Sequence, residues 1–143
     1  MTGSLCIGVP LDWNCAKREV NYSVPEFYSS QLLKFKHQLS SKLQCRPFPS
    51  PHVACGKHVQ ISPDTDASPK LDDKRMKFAQ IIVGEALCMG RLIDNTILVA
   101  TNELGINQTK STKKTISSCA WLIDYMATYP NPSVTFKKSC VIL

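Results

Sequence analysis

The fold of this chain is decided by residues 71–129, which read LDDKRMKFAQIIVGEALCMGRLIDNTILVATNELGINQTKSTKKTISSCAWLIDYMATY. Apolar residues recur there in steps of three and four, the spacing that brings side chains onto one face of an α-helix. Between two such series, Asp94 is placed to cap a shorter helix that ends near Gly105. We therefore expect three packed helices joined by short turns. The first series is Phe78, Ile82, Ala86, Met89 and Ile93, and the last is Ile116, Ala120, Ile123 and Ala127.

The N-terminal part of the chain has the pattern of a β-hairpin followed by a helix. Residues 5–13 and 19–24 alternate loosely between β-forming and polar side chains, and a polar stretch separates them. Pro25 then suits the first turn of a helix that runs to about His37, because that turn leaves amide groups unpaired anyway. The residues expected on the core face of this helix are Tyr28, Leu32 and Phe35.

These patterns predict an α+β fold in one domain or part of one. Residues 1–38 form the hairpin and helix, and residues 39–69 form a long irregular connection with one short strand at 58–61. That connection is rich in Pro, Ser, Asp and His and shows no sustained period. Residues 70–143 form the helical region, which ends in a strand over 134–143.

Composition favours a soluble protein with a polyanionic partner. The formal net charge is +6, with 17 Lys and Arg against 11 Asp and Glu. Such an excess suits nucleic acid or an acidic membrane surface, and it also fits an ordinary solvated basic surface. No apolar run approaches the roughly 20 residues that a membrane-spanning helix needs. The chain is therefore expected to be soluble, or attached to a membrane only at its surface, and a membrane partner is not the one we favour.

The cysteines point to a reducing, intracellular compartment, either the cytoplasm or the nucleus. The chain has 7 of them, an odd number at irregular spacing, and no leader pattern opens the sequence. Both features argue against a disulfide framework. Cys88 and Cys119 are expected on apolar helical faces, where a reduced thiol behaves as a small hydrophobic side chain.

One candidate metal site lies in the connection. Cys45, His52, Cys55 and His58 are all zinc-ligand types, and the last two steps are three residues each. A small zinc-binding interaction module is therefore one alternative function. The first gap is longer and contains three prolines, and it fits no ligand pattern, so we prefer scattered loop residues and expect no metal site.

The C-terminus offers a second alternative. The chain ends in CVIL at residues 140–143, after Lys137 and Lys138. This matches the motif for geranylgeranylation of Cys140, which would give a small membrane-associated protein. A prenyl chain needs a second signal for stable anchoring, and two lysines are a weak one. The competing interpretation is a plain β-strand, and we favour it because four-residue motifs often match by chance.

Asp72 and Asp73 are the only adjacent carboxylates in the chain. Paired aspartates hold Mg²⁺ in phosphoryl-transfer sites. Acidic residues are also favoured at helix N-termini by the helix dipole and the free amides. Because the pair follows Pro69 at the start of the first long helix, we expect it to serve the helix. Nothing else in the sequence marks an intact active site.

Short motifs occur in order along nearly the whole chain. They are LCIG at 5–8, LDW at 11–13, SVP at 23–25, KFKH at 34–37, VQ at 59–60, SP at 68–69, LD at 71–72, IVG at 82–84, TILVA at 96–100 and LIDY at 122–125. Arg91, Asp94 and the Ala127-Thr128 pair continue the series. In this order and spacing the sequence resembles the reverse transcriptase of copia-type LTR retrotransposons. The resemblance covers the portion between the polymerase catalytic motif and RNase H.

The resemblance implies that the hairpin is a primer grip and that the helices form the thumb. The primer-grip-like residues would be Leu5, Cys6, Ile7 and Gly8. The partners implied are an RNA–DNA or DNA duplex and the remainder of the reverse transcriptase polyprotein. A thumb holds the duplex through phosphates without reading sequence, which agrees with the net charge. The candidates for phosphate contacts are Lys34, Lys36, Lys74, Arg75, Lys77 and Arg91.

The resemblance also implies a catalytically incomplete part of an RNA-directed DNA polymerase. The Tyr-x-Asp-Asp motif of the family would precede residue 1, and the RNase H carboxylates would follow residue 143. Without these aspartates no two-metal site forms, so we expect no catalysis by this chain alone, and the Mg²⁺ would belong to the missing portion. Leu87 and Cys88 stand where the family tends to have aromatic residues, which suggests a decaying copy. A hairpin separated from its palm sheet is expected to be marginally stable.

Overall fold

The computed structural model describes residues 5–6, 9–38, 42–49, 66 and 68–138. Within them the chain has the expected α+β architecture, a small antiparallel sheet beside a group of packed helices. Two short 3₁₀ turns, Asn95–Ile97 and Gln108–Lys110, precede and follow the third helix. The elements are β1 (Leu5–Cys6), β2 (Val9–Asn14), β3 (Glu19–Ser23), α1 (Phe27–Phe35), α2 (Asp73–Leu92), α3 (Leu98–Asn107), α4 (Lys113–Thr128) and β4 (Ser133–Lys137).

The hairpin is present, but it does not stand alone. The sheet order is β1-β2-β3-β4, so the C-terminal strand lies against the hairpin. Val20 of β3 is directly opposite Trp13 on one side and Phe136 on the other. The expectation of an isolated hairpin is therefore wrong, because a third strand completes the hydrogen bonds of β3. The expected C-terminal strand is confirmed over Ser133–Lys137, and residues 139–143 lie outside the described part.

The first helix begins at Phe27, slightly later than Pro25 suggested, because Glu26 has a left-handed backbone with φ 64°. Tyr28 is fully buried, and Leu32 and Phe35 pack against the core as expected. His37 Nε2 lies 2.8 Å from Asp124 Oδ1, which fastens the end of α1 to α4. The first helix therefore closes one side of the helical core.

Helix α2 buries the predicted face through Ile82, Ala86, Met89 and Ile93, whereas Phe78 is partly exposed and packs edge-on against Phe35. Gly90 lets α2 approach the next segment closely. A Cβ at position 90 would lie 2.9 Å from Leu98 Cδ2 and 3.3 Å from Ile97 Cγ1. The close crossing at the end of α2 therefore depends on a residue without a side chain.

Asp94 caps the next helical segment as predicted, by accepting a hydrogen bond from the Thr96 amide at 3.2 Å. The segment it caps is first a 3₁₀ turn and then α3. Helix α3 continues to Asn107, two residues past Gly105, so the glycine does not end it.

The face predicted for α4 is rotated by about one residue. The buried positions include Cys119, Leu122, Ile123 and Met126, whereas Ile116, Ala120 and Ala127 are only partly buried. The period was right, but the helix packs against three others, and its contact face is wider than one apolar stripe. None of the helices in the described part of the chain is both long and apolar enough to cross a bilayer.

The two helical cysteines have different environments. Cys119 is buried, as expected, and burial raises the pKa of its thiol to about 11. Cys88 is exposed, so the expectation for it is wrong. One residue turns a helical side chain by about 100°, and the burial of Met89 therefore turns Cys88 outward.

Candidate nucleic-acid interface

The outer side of α2 carries three of the predicted phosphate-binding residues. Lys74, Lys77 and Arg91 are exposed, and at helical spacing they lie within about 100° of one another around the axis. Lys74 and Arg91 are separated by about 25 Å along the helix, at ~1.5 Å per residue. These three cations therefore form a long strip on the side of α2 that faces away from the core.

The other predicted cations are differently placed. Arg75 Nε lies 3.6 Å from Asp72 Oδ1, one helical turn away. Lys34 forms an ion pair with Glu85 of α2, and its ammonium group lies 5.9 Å from the centre of the Phe35 ring. Lys36 is exposed and ends α1 in a left-handed conformation. Arg75 and Lys34 each face a carboxylate that a bound phosphate would have to compete with.

Sequence reasoning missed a second group of cations, at the N-terminus of α4. Lys113 and Lys114 occupy the first two positions of that helix, and both are exposed. A β-bridge between Lys70 and Thr112 brings the start of α4 beside the start of α2, and the Leu71 amide donates to the Ser111 carbonyl at 3.0 Å. The run TKSTKK at residues 109–114 was the available signal.

The electrostatics of this helix start are unusual. Cations are disfavoured at a helix N-terminus, where the helix dipole is positive. Thr112 and Thr115 satisfy the first amides through a reciprocal capping box. Asp66 lies beside this helix start and accepts hydrogen bonds from Ser68 and Thr112, and these bonds lower its pKa to about 2. The start of α4 is therefore positively charged, and its cap residue Thr112 is already hydrogen-bonded to one anionic group, the Asp66 carboxylate.

The remaining predicted residues fall in three groups. Leu5 and Cys6 form β1 and pair with Pro10 and Val9, whereas Ile7 and Gly8 lie outside the described residues. Asp72 is at the N-cap of α2 and Asp73 is in its first turn, but the Asp72 side chain makes no capping hydrogen bond and instead lies 3.6 Å from Arg75 Nε. Three of the zinc-type residues, at positions 52, 55 and 58, and the prenylation candidate at 140 also lie outside the described part.

The described ranges contain no cluster of three or more His, Cys, Asp or Glu side chains arranged to hold a metal ion. Cys45, the zinc-type residue inside those ranges, is exposed on the segment that lies along α4. The hydrogen bonds that hold that segment include those from the Trp121 indole to the Arg46 carbonyl at 2.9 Å and from the Gln44 amide to the Thr128 hydroxyl at 3.1 Å.

The fold and these residues define a small α+β protein with a cationic helical surface. Its parts are the strip of Lys74, Lys77 and Arg91 on α2 and the pair Lys113 and Lys114 at the start of α4. We call the two together the α2/α4 basic surface. No protein-family model matches the chain, and neither a curated protein nor a solved structure is significantly similar to it.

Proposed function

We propose that this chain is part of a copia-type reverse transcriptase, the portion that grips the template–primer duplex. The sequence resemblance supplies the family, and the α2/α4 basic surface is the observation that carries the role. A strip of about 25 Å, at ~3.4 Å per base step, spans about seven base pairs of one strand. That length suits a helix that follows the backbone of a duplex.

The proposed role is holding, not phosphoryl transfer. Lysine and arginine contacts to phosphates fix the register and orientation of a duplex and carry no sequence information. Phosphoryl transfer uses carboxylates that bind Mg²⁺ at two sites, and the resemblance places those carboxylates in other parts of the polyprotein. The remainder of the polyprotein is therefore the second proposed partner, and the place of action is inside the cell, in the cytoplasm or nucleus.

Single charge removals test the role of the surface. Lys77→Gln removes one cation near the Lys74 end of the strip and leaves an exposed helical position with good helix propensity. Binding of an RNA–DNA hybrid, followed by fluorescence anisotropy, is expected to weaken and to lose about 0.9 from the slope of log affinity against log salt. Arg91→Gln is expected to behave in the same way.

Arg46→Gln is the matched control. Arg46 is also exposed, but it lies on the segment along α4, where its carbonyl accepts from Trp121. Since that bond uses the backbone, the substitution removes charge alone. The hybrid affinity should change much less than in Lys77→Gln. Equal losses in the two variants would show that only total charge matters and would contradict the proposed surface.

A further inference from the structure

One face of the sheet extends beyond the helical core. Trp13, Val20 and Phe136 are directly opposite one another on three strands, so their side chains share a face. Tyr22 and Val134, two residues further along, lie on that same face and pack against the core. Trp13 remains 47% exposed and Phe136 61% exposed. The sheet therefore presents two accessible aromatic rings, about 10 Å apart at the usual strand spacing.

Cations border this aromatic row. Lys17 and Arg18 lie in the turn that follows β2, and both are exposed. The Lys138 amide donates to the Arg18 carbonyl at 3.1 Å, which brings an exposed lysine from the end of β4 to the same end of the sheet. The three cations thus come from two separate parts of the chain, whose backbones meet at this end of the sheet.

The carboxylates of β2 and β3, Asp12 and Glu19, belong to the opposite face. Glu19 is directly opposite Lys137 in the register, and their charged groups lie 3.9 Å apart. Asp12 is directly opposite Asn21. Since successive residues of a strand point to opposite sides, these positions lie on the other face from the aromatic row. The row is therefore bordered by positive charge, which complements a polyanion.

We infer that this end of the sheet binds single-stranded nucleic acid. Bases stack on Trp13 and Phe136, and phosphates contact Lys17, Arg18 and Lys138. Exposed aromatic residues on neighbouring strands are a recurrent way to stack unpaired bases, and such stacking tolerates any sequence because every base has a π face. An apolar protein partner would use the rings but would gain nothing from the three cations. The surface is distinct from the α2/α4 basic surface and does not depend on the duplex proposal.

Trp13 itself provides the readout. The chain has 2 tryptophans, so Trp121→Phe leaves Trp13 as the only one. Titrating this variant with a short oligo(dT) at low salt should quench its fluorescence, because a base stacks on the indole. Adding Phe136→Leu should weaken binding about tenfold, since leucine is apolar and has no π face. Phe136→Tyr should retain the affinity.

Thr135→Val is the matched control, because position 135 lies on the same strand but on the opposite face. It should bind oligo(dT) like the parent variant. Absence of quenching, or equal affinity of Phe136→Leu and the parent, would overturn the inference. Hybrid-duplex binding measured on the same variants should not change. Absence of hybrid-duplex binding by the parent variant, with quenching intact, would count against the proposed function alone.

Discussion

The hydroxyl group of Tyr28 donates a hydrogen bond to Asp94 Oδ2 at 2.8 Å, across 66 positions of the sequence. The Asp94 residue is only 7% exposed. Its other oxygen accepts from the amide and hydroxyl of Thr96, and that hydroxyl lies 3.0 Å from the Tyr125 hydroxyl. The network joins α1 to the junction of α2 and α3 and to α4. Burial and the nearby carboxylate raise the pKa of Tyr28.

Tyr28→Phe removes only the hydroxyl oxygen, but it should destabilise the protein strongly. It leaves one oxygen of a buried carboxylate without its donor, at a cost of about 1.5–3 kcal/mol. Urea unfolding measures the loss. Tyr129→Phe is the control, because Tyr129 is exposed at the end of α4 and keeps its ring contact with Tyr125. Comparable losses in both variants would show that the Asp94 bond contributes nothing specific.

The thiols should separate by reactivity. Cys88 is exposed and should react rapidly with a thiol reagent at neutral pH, whereas Cys119 should react only on unfolding. Cys88→Ser should remove one fast-reacting thiol and leave the slow one unchanged. Fast labelling at Cys119 in the native protein would contradict the buried position of that side chain.

The raised pKa of Cys119 also predicts a loss of stability in alkali. The folded thiol holds its proton up to about pH 11, against an ordinary pKa of 9.0. Between these two values the unfolded chain releases the proton first, so the free energy of unfolding falls as pH rises. The stabilisation is complete below pH 9. Cys119→Ala should show a weaker alkaline loss than the wild type, when urea unfolding is followed across this range.

Two glycines of α2 should respond oppositely to alanine. Gly84 has open space around an added Cβ, so Gly84→Ala should stabilise the helix by about 0.5–1 kcal/mol. Gly90 faces Ile97 and Leu98, and Gly90→Ala must push those side chains away. The free energy of unfolding of Gly90→Ala, measured by thermal unfolding, should be about 1–3 kcal/mol lower than that of Gly84→Ala. Equal stability of the two variants would contradict the close crossing.

Glu85 should weaken duplex binding in the wild-type chain. Its side chain is half-buried on α2 and pairs with Lys34, so it places a negative charge beside the cationic strip. Glu85→Gln should release Lys34 and raise hybrid affinity about two- to fivefold, the range expected for an exposed ion pair. Glu103→Gln, an exposed change on α3, should have little effect. A gain of the same size in both variants would argue against a local surface.

Local patterns in the sequence predicted the helices well, because each depends on neighbours three and four residues apart. The Asp94 cap, the hairpin and the buried side of α2 all follow from such short-range signals. The rotation of α4 did not, since it depends on which helices surround it. The sequence did not distinguish the buried Cys119 from the exposed Cys88 either, because the burial of each thiol also depends on the neighbouring helices.

Long-range pairing was the part that the sequence could not supply. The hydrogen bond between the Thr135 hydroxyl and Asn21 Oδ1 joins residues 114 positions apart. No local pattern in the sequence indicates that β4 pairs with β3. The second cation group was missed because its position depends on the bridge between Lys70 and Thr112. Net charge predicted a polyanionic partner, but only the packing shows that the starts of α2 and α4 lie side by side.

The salt dependence of hybrid binding tests the central claim most directly. If the α2/α4 basic surface contacts phosphates through about five cations, the slope of log affinity against log salt should be about −3 to −5. Two RNA–DNA hybrids of unrelated sequence should give the same affinity and slope, because phosphate contacts do not read bases. A slope near zero, or a strong preference for one of the two hybrids, would contradict the proposal that this chain grips a duplex by its backbone.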